Sequence, residues 1–126
     1  MLIKIDFDSG EAIYVQLCNQ IIMGIATRQL SDGDSLPSVR QLADMIGVNM
    51  HTVNKAYAIL REQGFLTLDR RRGAVVYVDK EKMKALEELR DDLRIALAKA
   101  SCKRVTRQEV HELIDQMYFE ADEEIQ

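Results

Sequence analysis

Two short amphipathic helices joined by one tight turn constrain the fold more than any other feature of this sequence. Ser38 followed by Gln41 forms a capping box that starts the first helix, whose apolar face ends at Gly47. Asn49 is a good N-cap for a second helix, and the buried stripe of that helix extends up to Gly64. The turn is too short for the two helices to lie antiparallel, so the pattern predicts a helix-turn-helix.

The residues before this motif predict one more helix. Apolar residues recur at helical spacing from residue 12 to about residue 30, after Ser9 and Glu11, which can cap the start. Apolar and charged residues alternate from residue 3 to residue 7, which indicates a short strand or an extended arm. A turn cluster at residues 31 to 35 separates the predicted helix from the helix-turn-helix.

A basic hairpin is predicted directly after the helix-turn-helix. Two β-rich runs, residues 65 to 68 and residues 74 to 78, flank a turn that contains Arg70, Arg71 and Arg72. A run of arginines is usually only a solvated charge run. At the tip of a hairpin that follows a helix-turn-helix, however, such a run is typical of a wing, which contacts phosphates or enters the minor groove.

Two further amphipathic helices are predicted at the C-terminal end. The first covers residues 80 to 100, residues 101 to 104 break it, and Thr106 with Glu109 forms a capping box for the second. Each helix carries one apolar stripe, and two helices in fewer than about 50 residues bury both stripes poorly without a partner. We therefore expect a homodimer, with contacts at Met83, Leu86, Leu89, Leu93, Leu97, Val110, Leu113, Ile114 and Met117.

These patterns predict a mostly α-helical fold with a small β-hairpin. We expect a winged helix-turn-helix DNA-binding domain at residues 1 to 79 and a C-terminal helical dimerisation hairpin at residues 80 to 126. The net charge of −4 does not favour DNA binding, but it is unevenly distributed. Residues 1 to 79 carry 8 basic and 9 acidic side chains, whereas residues 80 to 126 carry 9 and 12, so the acidity lies mostly in the tail.

Composition and motif content exclude several classes of function. No run approaches the roughly 20 apolar residues of a membrane span, and the N-terminus lacks the pattern of a signal peptide, so we expect a cytoplasmic protein without a membrane partner. Cys18 and Cys102 lack metal-ligand spacing and are expected to be reduced thiols. Glycine-rich phosphate loops, paired catalytic carboxylates and nucleophile motifs are absent from the sequence, so neither enzymatic activity nor a metal or other cofactor is expected.

The order of these elements and several residues resemble the GntR family of bacterial regulators, and the two-helix tail is similar to that of its YtrA-type subfamily. The residues that carry the resemblance are Ile13-Tyr14, Gln16-Leu17, Gly33, Leu36 to Ala43, Val48-Asn49, Thr52-Val53, Ala56-Tyr57, Leu60, Gly64 and Gly73. The resemblance implies a dimeric repressor or activator on a palindromic operator, often one that controls transporter genes. Met50 departs from the family, which usually has a basic residue at this position.

The candidate DNA contacts lie at the starts of the two central helices and at the hairpin tip. By the resemblance, Arg40 occupies the position of the family's DNA-contacting arginine, and the first turns of the next helix enter the major groove. Thr52 could instead serve only the helix start, and we expect His51 to contact DNA rather than a metal. The expected set is Ser38, Arg40, Asn49, Met50, His51, Thr52, Asn54, Lys55, Arg70, Arg71, Arg72 and Gly73.

Two alternatives to a simple DNA-reading dimer stay open at this point. Winged helices also bind proteins, and the acidic net charge fits that function. The basic hairpin tip, together with Arg40 and Lys55, favours double-stranded DNA over a protein partner. A small-molecule effector could also bind, but two tail helices enclose little volume, so its pocket would lie at the dimer interface or between tail and wing.

Overall fold

A computed structural model describes residues 3 to 125 of the chain. The elements, in chain order, are α1 (Ile13–Ala26), α2 (Val39–Ile46), α3 (Met50–Glu62), β1 (Leu66–Asp69), β2 (Gly73–Val76), α4 (Lys82–Cys102) and α5 (Arg107–Ile125). The prediction of a mostly α-helical fold with one small hairpin is confirmed. The chain divides after Asp79 into two compact units, which are described separately below.

Helix α3 lies at the centre of the first unit. Val53, Ala56 and Leu60 recur along it at spacings of three and four residues, and all three are inaccessible to solvent. They belong to the same core cluster as Leu17 and Ile21 of α1, which are equally inaccessible. Burial of each leucine or isoleucine contributes about 1.5–3 kcal/mol. Because α3 also contacts α2 and β1, this one stripe organises the whole unit.

The hairpin is widened on one side by the segment that connects α1 to α2. Strands β1 and β2 are antiparallel, and residues 33 to 36, here called the connector, lie along the other edge of β2. Gly33 N–H donates to the Val76 carbonyl and Val76 N–H donates to the Asp34 carbonyl, both at 2.8 Å. The sequence predicts only a turn over most of this segment, because strand pairing over 40 residues leaves no local signal.

Helix α1 is shorter than predicted at its C-terminus and lacks the predicted cap. Its N-cap residue, Ala12, offers no side-chain hydrogen bond, whereas Ser9 Oγ accepts the Glu11 N–H at 3.0 Å before the helix begins. The helix ends at Ala26, because Arg28 adopts a left-handed conformation with φ of 64°. The prediction of helix up to residue 30 was therefore wrong.

The N-terminal arm forms no strand: residues 3 to 6 have no regular secondary structure, and residues 7 and 8 form a turn. Two glutamine side chains of α1 hold it instead. Gln16 Oε1 accepts the Asp6 N–H at 2.9 Å, and Gln16 Nε2 donates to the Asp6 carbonyl at 3.0 Å. Gln20 makes the same pair of contacts with Lys4. Glutamines four residues apart on a helix thus match alternate residues of an extended chain.

The tail helices differ slightly from their predicted bounds. Helix α4 continues through residues 101 and 102, where a break was predicted, and the turn that follows it contains Arg104, which has φ of 63°. The predicted capping box before α5 is confirmed: Thr106 N–H donates to Glu109 Oε1 at 3.0 Å, and Glu109 N–H donates to Thr106 Oγ1 at 3.1 Å. These hydrogen bonds hold the pKa of Glu109 below its ordinary value.

The second unit buries almost nothing by itself. No residue from 80 to 123 is buried, and only Ala100, Val110 and Ala121 are half-buried. The two apolar stripes are therefore uncovered within a single chain.

Within the described part of the chain, no helix is both long enough and apolar enough to cross a membrane.

One hydrogen bond ties α3 to the start of α2. The Tyr57 hydroxyl donates to the Pro37 carbonyl at 2.8 Å, and the ring of Tyr57 is buried in the core. Desolvation by burial raises the pKa of Tyr57 to about 12. The bond joins α3 to the start of α2, whereas the turn at Gly47 joins α3 to the end of α2.

Removal of this hydroxyl tests the contact through its pH dependence. The unfolded chain releases the tyrosine proton near pH 10, whereas the folded protein keeps it until about pH 12. The free energy of unfolding should therefore fall as the pH rises from 10 to 12. Tyr57→Phe should lower stability at pH 7 by about 1 kcal/mol and remove that part of the alkaline loss.

Denaturant unfolding at fixed temperature, followed by circular dichroism at several pH values, measures both effects. Tyr118→Phe is the matched control, because Tyr118 lies exposed on α5. The control should unfold like the unchanged protein at every pH. Identical pH profiles for Tyr57→Phe and the unchanged protein would contradict the raised pKa of Tyr57, and equal stability at pH 7 would show that the Tyr57 hydroxyl is not a stabilising contact.

Candidate nucleic-acid interface

The predicted helix caps are confirmed, and two of the candidate DNA contacts are the capping residues. Gln41 N–H donates to Ser38 Oγ at 3.1 Å, and Ser38 N–H donates to Gln41 Oε1 at 3.0 Å, which completes the capping box. Asn49 Oδ1 accepts the His51 N–H at 2.7 Å at the start of α3. Gly47, in the left-handed conformation with φ of 71°, ends α2. Ser38 and Asn49 therefore hold the helix starts in place.

The first turns of α3 present a mixed polar surface. Met50, His51, Asn54 and Lys55 are exposed, and Thr52 is half-buried. They are exposed because the apolar stripe of α3 faces the core and leaves these positions on the outside. An exposed helix start with amide and imidazole side chains is suited to reading base edges in a major groove.

Lys55 is exposed, but its side chain is directed towards α1. Its ammonium nitrogen lies 3.9 Å from the centre of the Tyr14 ring, within the range of a cation–π contact. Such a contact contributes about 0.5–1 kcal/mol at an exposed site. Lys55 therefore adds positive charge to the surface while it also packs α3 against α1.

Arg40 lies in the first turn of α2, close to the capping box. It is exposed, and its guanidinium makes no hydrogen bond or ion pair with any residue from 3 to 125. An arginine carries five donors and remains charged at every physiological pH. Arg40 is thus available for a base edge or a phosphate.

The hairpin tip is built around Asp69. Its carboxylate oxygen Oδ1 accepts the N–H of Arg71 at 2.7 Å and the N–H of Arg72 at 3.1 Å. These backbone hydrogen bonds hold the pKa of Asp69 below its ordinary value. Gly73 completes the turn with φ of 75°, a conformation that other residues adopt only with strain.

The three arginines of the tip do not share one environment. Arg70 and Arg71 are exposed, and their side chains make no hydrogen bond or ion pair with any residue of the described chain. Arg72 instead donates from Nε to Ser35 Oγ at 3.1 Å and from its terminal Nη2 to the Gly33 carbonyl. The structure therefore presents two free guanidinium groups at the tip and ties the third to the connector.

A shallow groove of about 80 Å³ brings the parts of this surface together. Val39 at the start of α2, Asn54 and Arg61 on α3, and Thr67 and Leu68 on β1 all line it. The starts of both helices and the hairpin are thus neighbours on one side of the unit. We call this the groove face.

Arg61 is a candidate contact that the sequence interpretation missed. It is exposed and follows Asn54 by seven residues, which is two helical turns on the same face. That spacing is visible in the sequence, but the predicted contacts covered only the first turns of the helix. Arg61 adds a fourth exposed guanidinium to those of Arg40, Arg70 and Arg71.

The described residues form no cluster of histidine, cysteine and carboxylate side chains that could hold a metal ion. Cys18 and Cys102 are both free thiols, the first buried and the second exposed. Burial raises the pKa of the Cys18 thiol, whose Sγ donates to the Ala56 carbonyl at 3.5 Å.

Comparisons with known proteins match both the winged helix and the tail. The model of the bacterial regulatory proteins, gntR family, matches residues 13–76. The HTH-type transcriptional repressor YtrA of Bacillus subtilis (strain 168) is 31% identical over 121 residues, which is 92% of each chain. The sequence similarity therefore extends well beyond the helix-turn-helix.

Solved structures give the same result. A transcriptional antiterminator from Listeria monocytogenes EGD-e superposes with a TM-score of 0.84 at 27% identity, covering 96% of this chain and 92% of that chain. YtrA from Sulfolobus acidocaldarius, a GntR-family transcription factor, superposes with a TM-score of 0.68 at 42% identity, covering 81% and 99%. Both matches reach beyond the first unit.

Proposed function

The chain belongs to the GntR family of bacterial regulatory proteins, and we propose that it is a repressor that binds an inverted-repeat operator as a homodimer. Like its relatives, it is a DNA-binding transcriptional regulator and not an enzyme. The repressor role is supported by the name of the Bacillus subtilis relative, and control of transporter genes by the subfamily resemblance. The remaining parts of the proposal rest on the geometry of the two units.

The groove face carries the DNA-binding part of the proposal. Asn54 and Arg61 line it, and exposed arginines adjoin its lining residues along the chain: Arg40 follows Val39, and Arg70 and Arg71 follow the end of β1. In a docked complex, the start of α3 lies in the major groove, where Asn54 can pair with two atoms of one adenine edge. Arg70 and Arg71 then contact phosphates or the adjacent minor groove.

The tail carries the homodimer part of the proposal. Leu86, Leu89, Leu93 and Leu97 form a stripe along α4 and line an open apolar groove of about 490 Å³. All four side chains are exposed, and no element of the same unit covers them. A second copy of this unit offers a stripe of the same length, so a two-fold symmetric pairing buries both at once.

Dimerisation also explains the form of the proposed operator. Two DNA-binding units related by a two-fold axis meet two half-sites of opposite orientation, about one helical turn apart. When both half-sites bind together, the second contact forms at a high effective concentration. An acidic protein can then bind DNA specifically although each unit alone binds weakly.

In vitro selection from random duplex DNA tests the proposal as a whole. The full chain, at near-physiological salt, should enrich an inverted repeat with half-sites about one helical turn apart. Enrichment of an unrepeated site would contradict the homodimer on DNA. No enrichment would contradict the proposal and favour a protein-binding winged helix or an effector-dependent binder.

Arg40→Ala tests the role of α2 in DNA reading. The variant should lose about 1–3 kcal/mol of affinity for the selected site if Arg40 reads a base, with a smaller loss on unrelated DNA. Titrations at one fixed salt concentration measure both losses. Lys4→Ala is the control, because it removes an equal charge from the exposed arm on α1. Unchanged affinity of Arg40→Ala would remove Arg40 from the interface.

Leu93→Asp tests the proposed dimer interface. A carboxylate in the middle of the stripe would have to be desolvated in the dimer, so the variant should sediment as a monomer. Ile95→Asp is the matched control: Ile95 is also exposed on α4 but lies off the stripe, so this variant should remain a dimer. A Leu93→Asp dimer would place the interface elsewhere.

A further inference from the structure

Arg72 differs from the two arginines beside it in what its side chain contacts. Its Nε–H donates to Ser35 Oγ at 3.1 Å, and its terminal nitrogen donates to the Gly33 carbonyl. Both acceptors belong to the connector, nearly 40 residues earlier in the chain. One planar guanidinium therefore joins the hairpin tip to the connector at two points.

The connector already pairs with β2 through its backbone. Gly33 and Asp34 are hydrogen-bonded to Val76, the last residue of β2, and Leu36 N–H donates to the Ala74 carbonyl at 2.8 Å near the start of the strand. Arg72 itself lies in the turn, just before β2 begins at Gly73, so its side chain links the tip to the same connector residues. Without Arg72, the connector would hold the hairpin only through the backbone hydrogen bonds of Gly33, Asp34 and Leu36 to β2.

Hydrogen bonds within the tip also limit its movement. Asp69 Oδ1 accepts the N–H groups of both Arg71 and Arg72, so the turn that carries the arginines is itself rigid. A rigid turn that is held to the connector has one orientation relative to α3. The positions of Arg70 and Arg71 relative to α3 then depend on Arg72.

We propose that Arg72 is a positioning residue that fixes the hairpin tip against the connector, and that Arg70 and Arg71 alone carry the tip's contacts to DNA. The positioning half rests on the contacts above. The DNA half also rests on the proposed function. Arginine suits this role better than lysine, because a planar fork reaches two acceptors at once, whereas an ammonium is a point charge.

The positioning half is tested on the free protein by a double-mutant cycle. Arg72→Ala and Ser35→Ala should each lower the thermal midpoint, and the double variant should lose less than the sum of the two. Arg70→Ala should leave the midpoint unchanged. Amide exchange of Val76 N–H should be faster in Arg72→Ala than in Arg70→Ala, because the β2 edge opens more often.

The DNA half is tested by matched lysine variants on the selected site. Arg71→Lys keeps the charge that a phosphate contact needs and should bind within about twofold of the unchanged protein. Arg72→Lys keeps the same charge but loses the fork, so its affinity should fall by a factor on the order of ten, as should that of Arg72→Ala. Ser35→Ala should weaken binding without removing any charge.

Two results would overturn the proposal. Strictly additive effects of Arg72→Ala and Ser35→Ala on the midpoint would show that the two side chains do not act together. Full affinity in Arg72→Lys with a clear loss in Arg72→Ala would make Arg72 a phosphate contact. If the protein selects no DNA, the proposed function fails, but the cycle on the free protein still decides the positioning role.

Discussion

Helix α3 packs against α1, α2 and β1 at the same time, and the rest of the first unit takes its position from that packing. The stripe of Val53, Ala56, Tyr57 and Leu60 faces inward, so the opposite side of the helix must face solvent. The residues that we propose to read DNA lie on that exposed side. Burial of the core and presentation of the site are thus two consequences of one amphipathic helix, and a change in the stripe would move the reading surface.

The site is precise because its polar groups are held by short local bonds. Capping side chains set the starts of α2 and α3, and the Tyr57 hydroxyl joins α3 to the Pro37 carbonyl. The Asp69 carboxylate shapes the turn at the hairpin tip. Each of these groups fixes the position of a neighbouring residue or helix start. The free arginines therefore start from a rigid frame, which reduces the entropy lost when they bind.

The two units differ in how much apolar surface they bury. The first buries one continuous core cluster, whereas the second leaves its apolar stripes uncovered over residues 80 to 123. The acidic charge lies mostly in the second unit, so the net charge of −4 says little about the groove face. In the proposed dimer, the tail supplies association free energy and the winged helix supplies DNA recognition. Neither property alone would give a specific operator.

Most elements of this fold could be predicted from the sequence, because helix caps, turn residues and apolar stripes act over three to seven residues. The capping boxes at Ser38 and Thr106, the turn at Gly47 and the basic hairpin all follow from such local chemistry. Contacts between distant residues could not be predicted. The pairing of the connector with β2, the hold of Gln16 and Gln20 on the arm, and the bond from Arg72 to Ser35 are of this kind. In the sequence, the three arginines of the tip are equivalent; only tertiary packing, which brings the connector beside β2, separates the one that is held from the two that are free.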